Sequence, residues 1–129
     1  MSNFVIDRAF RINPGEGAVV ANKFVSASAT DGFIDTTPSL GGAAIGVVMA
    51  AVDATKTATG KAQAQVRLLG IAPVIVDAAA TLAFGDKVAT TTTGTAKFAS
   101  AGENVLGLAM QAGTNLAVID VLLTGAAVL

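Results

Sequence analysis

The chain has 129 residues, of which 53% are hydrophobic and 13% are charged, and its formal net charge is −1. It contains no Cys and no His, which excludes disulfides, thiolate nucleophiles, histidine acid–base chemistry and the usual zinc ligands. The near-neutral charge and the scattered Lys and Arg residues argue against nucleic acid as a partner. The length suits one domain, and its abundant alanine predicts a thin core that self-association would help to cover.

The first fourteen residues mix charged side chains with five apolar ones, which are Phe4, Val5, Ile6, Phe10 and Ile12. The charges interrupt the apolar stretch that a signal peptide needs, so we expect no export by that route. We predict an extended N-terminal arm over 1–14, followed by a β domain over 15–129. Three states of the arm are open: a frayed terminus, a first strand in its own domain, or a segment that packs on a neighbouring molecule through these five residues.

Short runs of Val, Ile, Leu and Thr, separated by Gly, Asn, Asp and Pro, predict an all-β fold, either a small β-sandwich or a barrel-like domain. A single helical turn or an ordered loop is predicted over Asp77–Phe84, and an exposed hairpin loop or a mobile tip over Asp53–Gly60. The apolar run Leu40–Val52 is shorter than the ~20 residues that span a bilayer, so no membrane partner is expected. The predicted strands lie near Gly17–Val25, Gly32–Asp35, Ala44–Val52, Ala62–Val76, Lys87–Thr91, Thr95–Ala99, Val105–Gln111 and Leu116–Leu123.

Two segments, near 22–51 and 86–112, share one scheme: a polar-Lys-apolar step, a strand of small residues, a glycine, a short strand, and an apolar-Gly-apolar step before Met. In this alignment Lys23, Gly32, Ile45-Gly46 and Met49 correspond to Lys87, Gly94, Leu106-Gly107 and Met110. The scheme predicts an internal duplication. Glycine supplies the positive φ of tight turns, so we predict structural turns at Gly32, Gly85, Gly94 and Gly107. The threonines before Gly94 favour extended backbone and are predicted to be structural.

No constellation of residues predicts catalysis. The acidic residues are scattered singly, and Asp31 and Asp35 flank Gly32 as turn formers rather than as an acid–base pair. The glycine-rich segment Gly41–Gly46 lacks the Lys-Ser/Thr of a phosphate loop. We therefore expect no catalytic, cofactor-binding or metal-binding residue, no small-molecule substrate, and a protein that is not an enzyme.

The segment Leu69–Leu123 resembles the small head decoration, or capsid cement, proteins of tailed bacteriophages. The likeness is carried by Gly70, Gly85-Asp86-Lys87-Val88, Gly94, Leu106-Gly107-Leu108-Ala109 and Val118–Leu123. The resemblance implies a β-rich and commonly trimeric protein on the outer surface of the head, made in the host cytoplasm, that braces neighbouring major capsid subunits. Independently of the resemblance, the Phe and Ile content of the arm predicts that its five apolar residues contact the capsid or a neighbouring protomer.

Two other functions remain as alternatives. A tail-tube or fibre module of a virion would share the β frame and the lack of chemistry. A carbohydrate-binding β-sandwich is the weaker alternative, because the chain has no Trp or Tyr to stack on a sugar ring.

Overall fold

A computed structural model describes the backbone of residues 5–30 and 32–128 and the side chains of the same ranges up to 124. The all-β prediction is confirmed, with a 3₁₀ turn at Pro14–Glu16 and one helical turn, α1, at Ala54–Thr57. The strands are β1 (Ile6–Ile12), β2 (Lys23–Ala27), β3 (Phe33–Asp35), β4 (Gly46–Val48), β5 (Gln63–Ile75), β6 (Thr81–Leu82), β7 (Lys87–Thr90), β8 (Ala96–Phe98), β9 (Asn104–Ala109), β10 (Gly113–Thr114) and β11 (Val118–Val128).

The strands close into two five-stranded barrels that share the long strand β5. In barrel 1, defined as residues 6–67, the order is β1-β3-β2-β4-β5, and pairing of β1 with the first half of β5 closes the ring. In barrel 2, defined as residues 70–123, the order is β5-β11-β9-β7-β8, and a parallel bridge from Val76 to Ala96 closes it. The last strand of barrel 1 therefore continues without a break into the first strand of barrel 2.

The two barrels are copies of one unit with the same strand registers. The repeat is longer than the sequence indicates, since it includes the first and last strands of each barrel as well as the central hairpins. Equivalent cross-strand pairs are Phe10–Ala64 and Val74–Ile119, Ser26–Asp35 and Ala89–Lys97, and Val48–Val66 and Ala109–Val121. Even single hydrogen bonds recur: the Met49 amide donates to the Gln65 carbonyl oxygen, and the Met110 amide to that of Asp120, each at 2.8 Å.

Each barrel has its own apolar core, built from the same repeat positions. In a strand, alternate side chains point to the same face, so one residue in two enters the barrel. The core of barrel 1 consists of Ile12, Val19, Val25, Ile34, Val48, Ala64 and Val66. The equivalent positions of barrel 2, which are also buried, are Val76, Leu82, Val88, Ala96, Ala109, Ile119 and Val121.

The N-terminal segment differs from the predicted arm. Residues Ile6–Ile12 form β1, which pairs with β5 and β3 inside barrel 1, and so belong to the β domain. Ile12 is fully buried in the barrel core and cannot contact a partner. The physical reason is the repeat itself: Ile12 occupies the place that Val76 takes in barrel 2. Phe4 lies outside the described residues.

The helical turn that was one of the two states predicted for Asp77–Phe84 does not form there. Residues 77–84 contain a turn and the short strand β6 instead of a helical turn, because the Asp77 carboxylate accepts from the Ala79 amide and the Thr95 hydroxyl. The helical turn lies instead in the loop Asp53–Gly60, where Asp53 caps α1 by accepting from the Lys56 amide at 2.9 Å.

Three of the four predicted turn glycines have positive φ, namely Gly32 (+82°), Gly85 (+87°) and Gly94 (+84°). Gly107 is not a turn residue; it lies inside β9, where an added Cβ would be 2.4 Å from the Leu122 carbonyl oxygen. Its equivalent, Gly46, has the same role beside Arg67, at 2.2 Å. The alignment of Lys23 with Lys87 is also off by one, since the registers place Phe24 at the position of Lys87.

Candidate interaction surfaces

Barrel 1 covers one side of barrel 2 with a set of residues that we call the contact face: Asn22, Lys23, Phe24, Gly41 and Val47. The Phe24 and Val47 side chains, 1% and 0% exposed, belong to the apolar cluster of barrel 2 and not to that of barrel 1. The Phe24 amide donates to the Gly94 carbonyl oxygen at 2.8 Å, and the Ile75 amide donates to that of Asn22 at 2.9 Å. Both packing and backbone hydrogen bonds therefore hold the barrels together.

The surface of barrel 2 that receives this face is a shallow apolar groove. Five residues that are buried there lie at positions outside the shared barrel core pattern: Ala72, Val74, Gly94, Leu106 and Leu123. The barrels approach each other closely at Gly94, because an added Cβ there would lie 2.6 Å from the Phe24 carbonyl oxygen. This turn needs glycine both for its positive φ and for the space that the contact face occupies.

Barrel 1 has the same groove, and it is open. The equivalents of the five groove residues are Arg8, Phe10, Gly32, Ile45 and Leu68, and all five line a cavity of about 700 Å³. Gly32 is exposed, and no described atom lies within 4 Å of a Cβ built on it. Arg8 and Arg11 lie over the rings of Phe10 and Phe33, at 5.1 and 4.6 Å from the ring centroids. This open groove combines apolar walls with two cations.

Barrel 2 in turn exposes the counterpart of the contact face. We call it the open face, formed by Asp86, Lys87, Gly102 and Leu108 at the positions of Lys23, Phe24, Gly41 and Val47. Lys87 and Gly102 are exposed, and Asp86 and Leu108 are half-buried. By contrast, Gly41 is buried, and an added Cβ there would overlap the Glu103 side chain.

The predicted contact residues of the N-terminal segment are distributed differently by the structure. Val5 and Ile6 are 38% and 39% exposed, and Leu69, the cross-strand partner of Ile6, is 39% exposed, so these three form a small apolar patch. Phe10 is half-buried in the wall of the open groove. Sequence reasoning missed the two most exposed phenylalanines of the described residues, Phe84 and Phe98, at 72% and 53%.

A second open cavity, of about 800 Å³, lies between α1 and the neighbouring strands of barrel 1. Its walls include Val19 and Val52, and Lys56 and Lys61 lie at its rim. The loop that carries α1 has no counterpart of similar length in barrel 2, where only residues 115–117 separate β10 from β11. This cavity is therefore specific to barrel 1.

Four ionised side chains within the barrels have shifted pKa values. Hydrogen bonding to Arg67, with N–O distances of 2.9 and 3.2 Å, lowers the pKa of Asp7 and raises that of Arg67. A hydrogen bond from Lys97 lowers the pKa of Glu103, whereas burial raises the pKa of Glu16. Among the described residues, no three Asp or Glu residues come together as a metal site.

The threonine run near Gly94 forms a hydroxyl network. The Thr91 hydroxyl lies 2.6 Å from that of Thr95, and the Thr95 hydroxyl donates to the Asp77 carboxylate at 2.8 Å. Thr93 lies within 3.4 Å of both hydroxyls. The network ties the hairpin turn that carries Gly94 to the end of β5.

No helix in the described part of the chain is long and apolar enough to cross a membrane.

No family model matches the sequence, and no curated protein is similar to it in sequence. Among the solved structures that are similar to this chain is the head fiber gp8.5 N base of bacteriophage phi29, and the likeness covers nearly the whole chain. The TM-score is 0.65 at 18% sequence identity, and the match covers 96% of this chain and 98% of that one. At this identity the likeness shows a shared fold, and both barrels lie within it.

Proposed function

We propose that this chain is a structural protein of a phage head, which binds the outer surface of the expanded capsid as a homotrimer and braces neighbouring major capsid subunits. It acts without catalysis, cofactor, metal, nucleic acid or small-molecule substrate. Its place is the virion, after synthesis in the host cytoplasm.

The observation that carries the proposal is the fold shared with a head fiber base over nearly the full length of both chains. The segment that resembles capsid cement proteins, Leu69–Leu123, coincides with barrel 2, and barrel 1 is a second copy of it. Both the shared fold and the resemblance of barrel 2 to cement proteins fit a decorating role.

Binding of this kind stabilises a shell by mass action. A protein that binds the assembled lattice and not its separated subunits shifts the equilibrium toward the lattice. A trimer with several attachment points can gain about 10²–10⁴ in avidity without a new type of contact. Exposed apolar side chains and a rigid β frame suffice for such a role.

For attachment to the capsid we propose the patch of Val5, Ile6 and Leu69. Exposed apolar groups at a strand end lose water contact when a partner covers them. Replacing Val5 and Ile6 with Ser should weaken binding to heads and leave the barrels folded. Exposed Val20, 50% accessible on the other side of the N-terminal turn, provides the matched control in V20S. Equal binding by both variants would exclude the patch.

The function is tested by co-sedimentation of the purified chain with expanded heads of its own virus that lack it. We expect saturable binding at a fixed number of copies per capsid subunit, and heads that withstand higher temperature afterwards. Absence of binding to heads would contradict the proposal.

A second candidate is the base of a fibre attached to the head, favoured by the description of the similar phi29 protein as a head fiber base. A fibre base would hold a further segment away from the shell. A cement protein would raise the stability of the lattice, so heads that lack it would be less stable. Heat resistance of heads with and without the chain distinguishes the two, because only cement predicts a large difference.

A further inference from the structure

The internal contact between the barrels covers one copy of each repeated surface and leaves the other copy uncovered. The contact face of barrel 1 covers the groove of barrel 2, while the groove of barrel 1 and the open face of barrel 2 have no counterpart among the described residues. An interface between two different surfaces of one repeated unit can extend to the next copy. We propose that the open groove of one chain accepts the open face of a second copy.

The backbone around both surfaces already has the required shape. Gly32 and Gly94 have φ of +82° and +84°, and their hairpins leave β2 and β7 in the same register. On the other side, Gly41 and Gly102 both have positive φ, at +63° and +86°. The Gly94 turn is covered by the Phe24 backbone, while the Gly32 turn has space at the same place. A second copy therefore meets a surface of the same form.

The open face carries one carboxylate, Asp86, beside the ammonium group of Lys87, and the open groove carries two arginines. In the internal contact, Lys23 lies against the Gly94 turn, with its Cβ 3.1 Å from a Cβ built on Gly94. The groove carries Ala72, and the Ile75 amide donates to the Asn22 carbonyl oxygen of the contact face. In the open pair, the position of Lys23 is taken by Asp86. The positions of Ala72 and Ile75 are taken by Arg8 and Arg11. The open face therefore carries the carboxylate of Asp86 where the contact face carries the ammonium group of Lys23. The open groove carries the guanidinium groups of Arg8 and Arg11 where the groove of barrel 2 has apolar side chains.

Apolar contact accompanies these charges. Leu108 occupies the place of Val47 and would face Phe10, Ile45 and Leu68 in the groove. Lys87 takes the place of Phe24; its methylene stem can cover apolar surface while its ammonium group remains in water. Because Lys87 stands where the internal contact has Phe24, this contact buries less apolar surface and should be weaker than the internal one.

The inference takes from the proposed function only that the chain self-associates, so it is tested on the purified full chain without capsids. Sedimentation equilibrium should give a multiple of the chain mass for the wild type. R8E/R11E places carboxylates opposite Asp86, and D86K places an ammonium opposite the two arginines. Like charges in register suppress association, so each variant should associate about tenfold or more weakly. The combined variant R8E/R11E/D86K should regain association.

K56E/K61E is the control, because it reverses two charges in barrel 1 outside both surfaces; it should associate as the wild type does. Thermal unfolding of every variant separates lost association from lost folding. A monomeric wild type, or an oligomer that the charge reversals leave unchanged, would overturn the inference. Groove variants that stay associated but lose binding to heads would overturn it too, since the groove would then belong to a capsid partner. In each of these cases binding of the wild type to heads still tests the proposed function separately.

Discussion

Barrels 1 and 2 have the same strand registers and the same seven core positions, yet their outer surfaces differ. The inward positions are apolar in both copies, as in Val25 and Val88. The outward positions diverge where the two copies have different neighbours: Phe24 is buried against barrel 2, and its equivalent Lys87 is exposed. The repeated sequence pattern therefore specifies each barrel, whereas the outward residues that differ between the two copies reflect the neighbour that each copy contacts.

The largest effect should come from Phe24, since it is buried in the contact between the barrels. Phe24→Ala leaves a cavity there and should lower the free energy of unfolding by about 3–5 kcal/mol. Lys87→Ala, at the same position of barrel 2, should change it by about 0.5 kcal/mol or less. Urea denaturation of both variants measures the difference. Similar values for the two would mean that the barrels are not in contact through Phe24.

Next come the two strand glycines, which should behave alike in the two barrels. An alanine Cβ at Gly46 or Gly107 would overlap a backbone carbonyl oxygen on the adjacent strand, at 2.2 and 2.4 Å. Each substitution should cost about 1–3 kcal/mol through forced backbone shifts. Gly15→Ala is the control, because the nearest atom, Asn13 Oδ1, is 3.7 Å away. A large cost in only one barrel would argue against equivalent cores.

The two turn glycines should separate backbone strain from contact. Gly32→Ala and Gly94→Ala both place a side chain at positive φ, which costs about 1 kcal/mol or more. Only Gly94→Ala also forces a Cβ against the Phe24 carbonyl oxygen, so it should be the more destabilising. The excess, measured by thermal unfolding, reports the contact between the barrels. If the two variants lost equal stability, that contact would contribute nothing at this point.

The smallest effect should come from the pair Asp7–Arg67, whose positions hold the apolar pair Ile71–Leu122 in barrel 2. Because the folded-state pKa of Asp7 is lowered, the pair stabilises the fold above the ordinary Asp range. That contribution disappears as the pH falls through the lowered pKa. Asp7→Asn should reduce stability at pH 7 by no more than about 1 kcal/mol and should flatten the acid limb of the stability profile.

Exposed Asp120 provides the control for that profile. Asp120→Asn should leave the acid limb close to that of the wild type. A profile for Asp7→Asn that fell as steeply in acid as the wild type's would show that the ion pair does not account for it.

Much of the fold could be predicted from the sequence. Glycine and small polar residues mark the ends of the strands from β2 to β11, and β-branched runs identify the strands themselves. A first strand was only one of three states left open for residues 1–14, because Asp7, Arg8 and Arg11 obscure its alternation. Comparison of Ile12-Asn13 with Val76-Asp77 would have placed it in the β domain. The prediction of Gly107 as a turn failed because glycine also appears where two backbones approach closely.

The surfaces were less predictable. Whether a residue such as Phe24 belongs to its own barrel or to the next depends on the arrangement of the barrels, which no local pattern contains. The same holds for the open groove, because its residues are distant in sequence and differ in type from their buried equivalents. Only the structural alignment of the copies, with Arg8 at the position of Ala72, reveals that the groove is a repeated surface.

The central claim, a structural protein on the outside of a phage head, is tested most directly by electron cryomicroscopy of heads from the same virus with and without the chain. The account predicts additional density on the outer surface of the expanded shell, at lattice positions, into which the two barrels fit. Density confined to the tail, or heads that look the same with and without the chain, would contradict it.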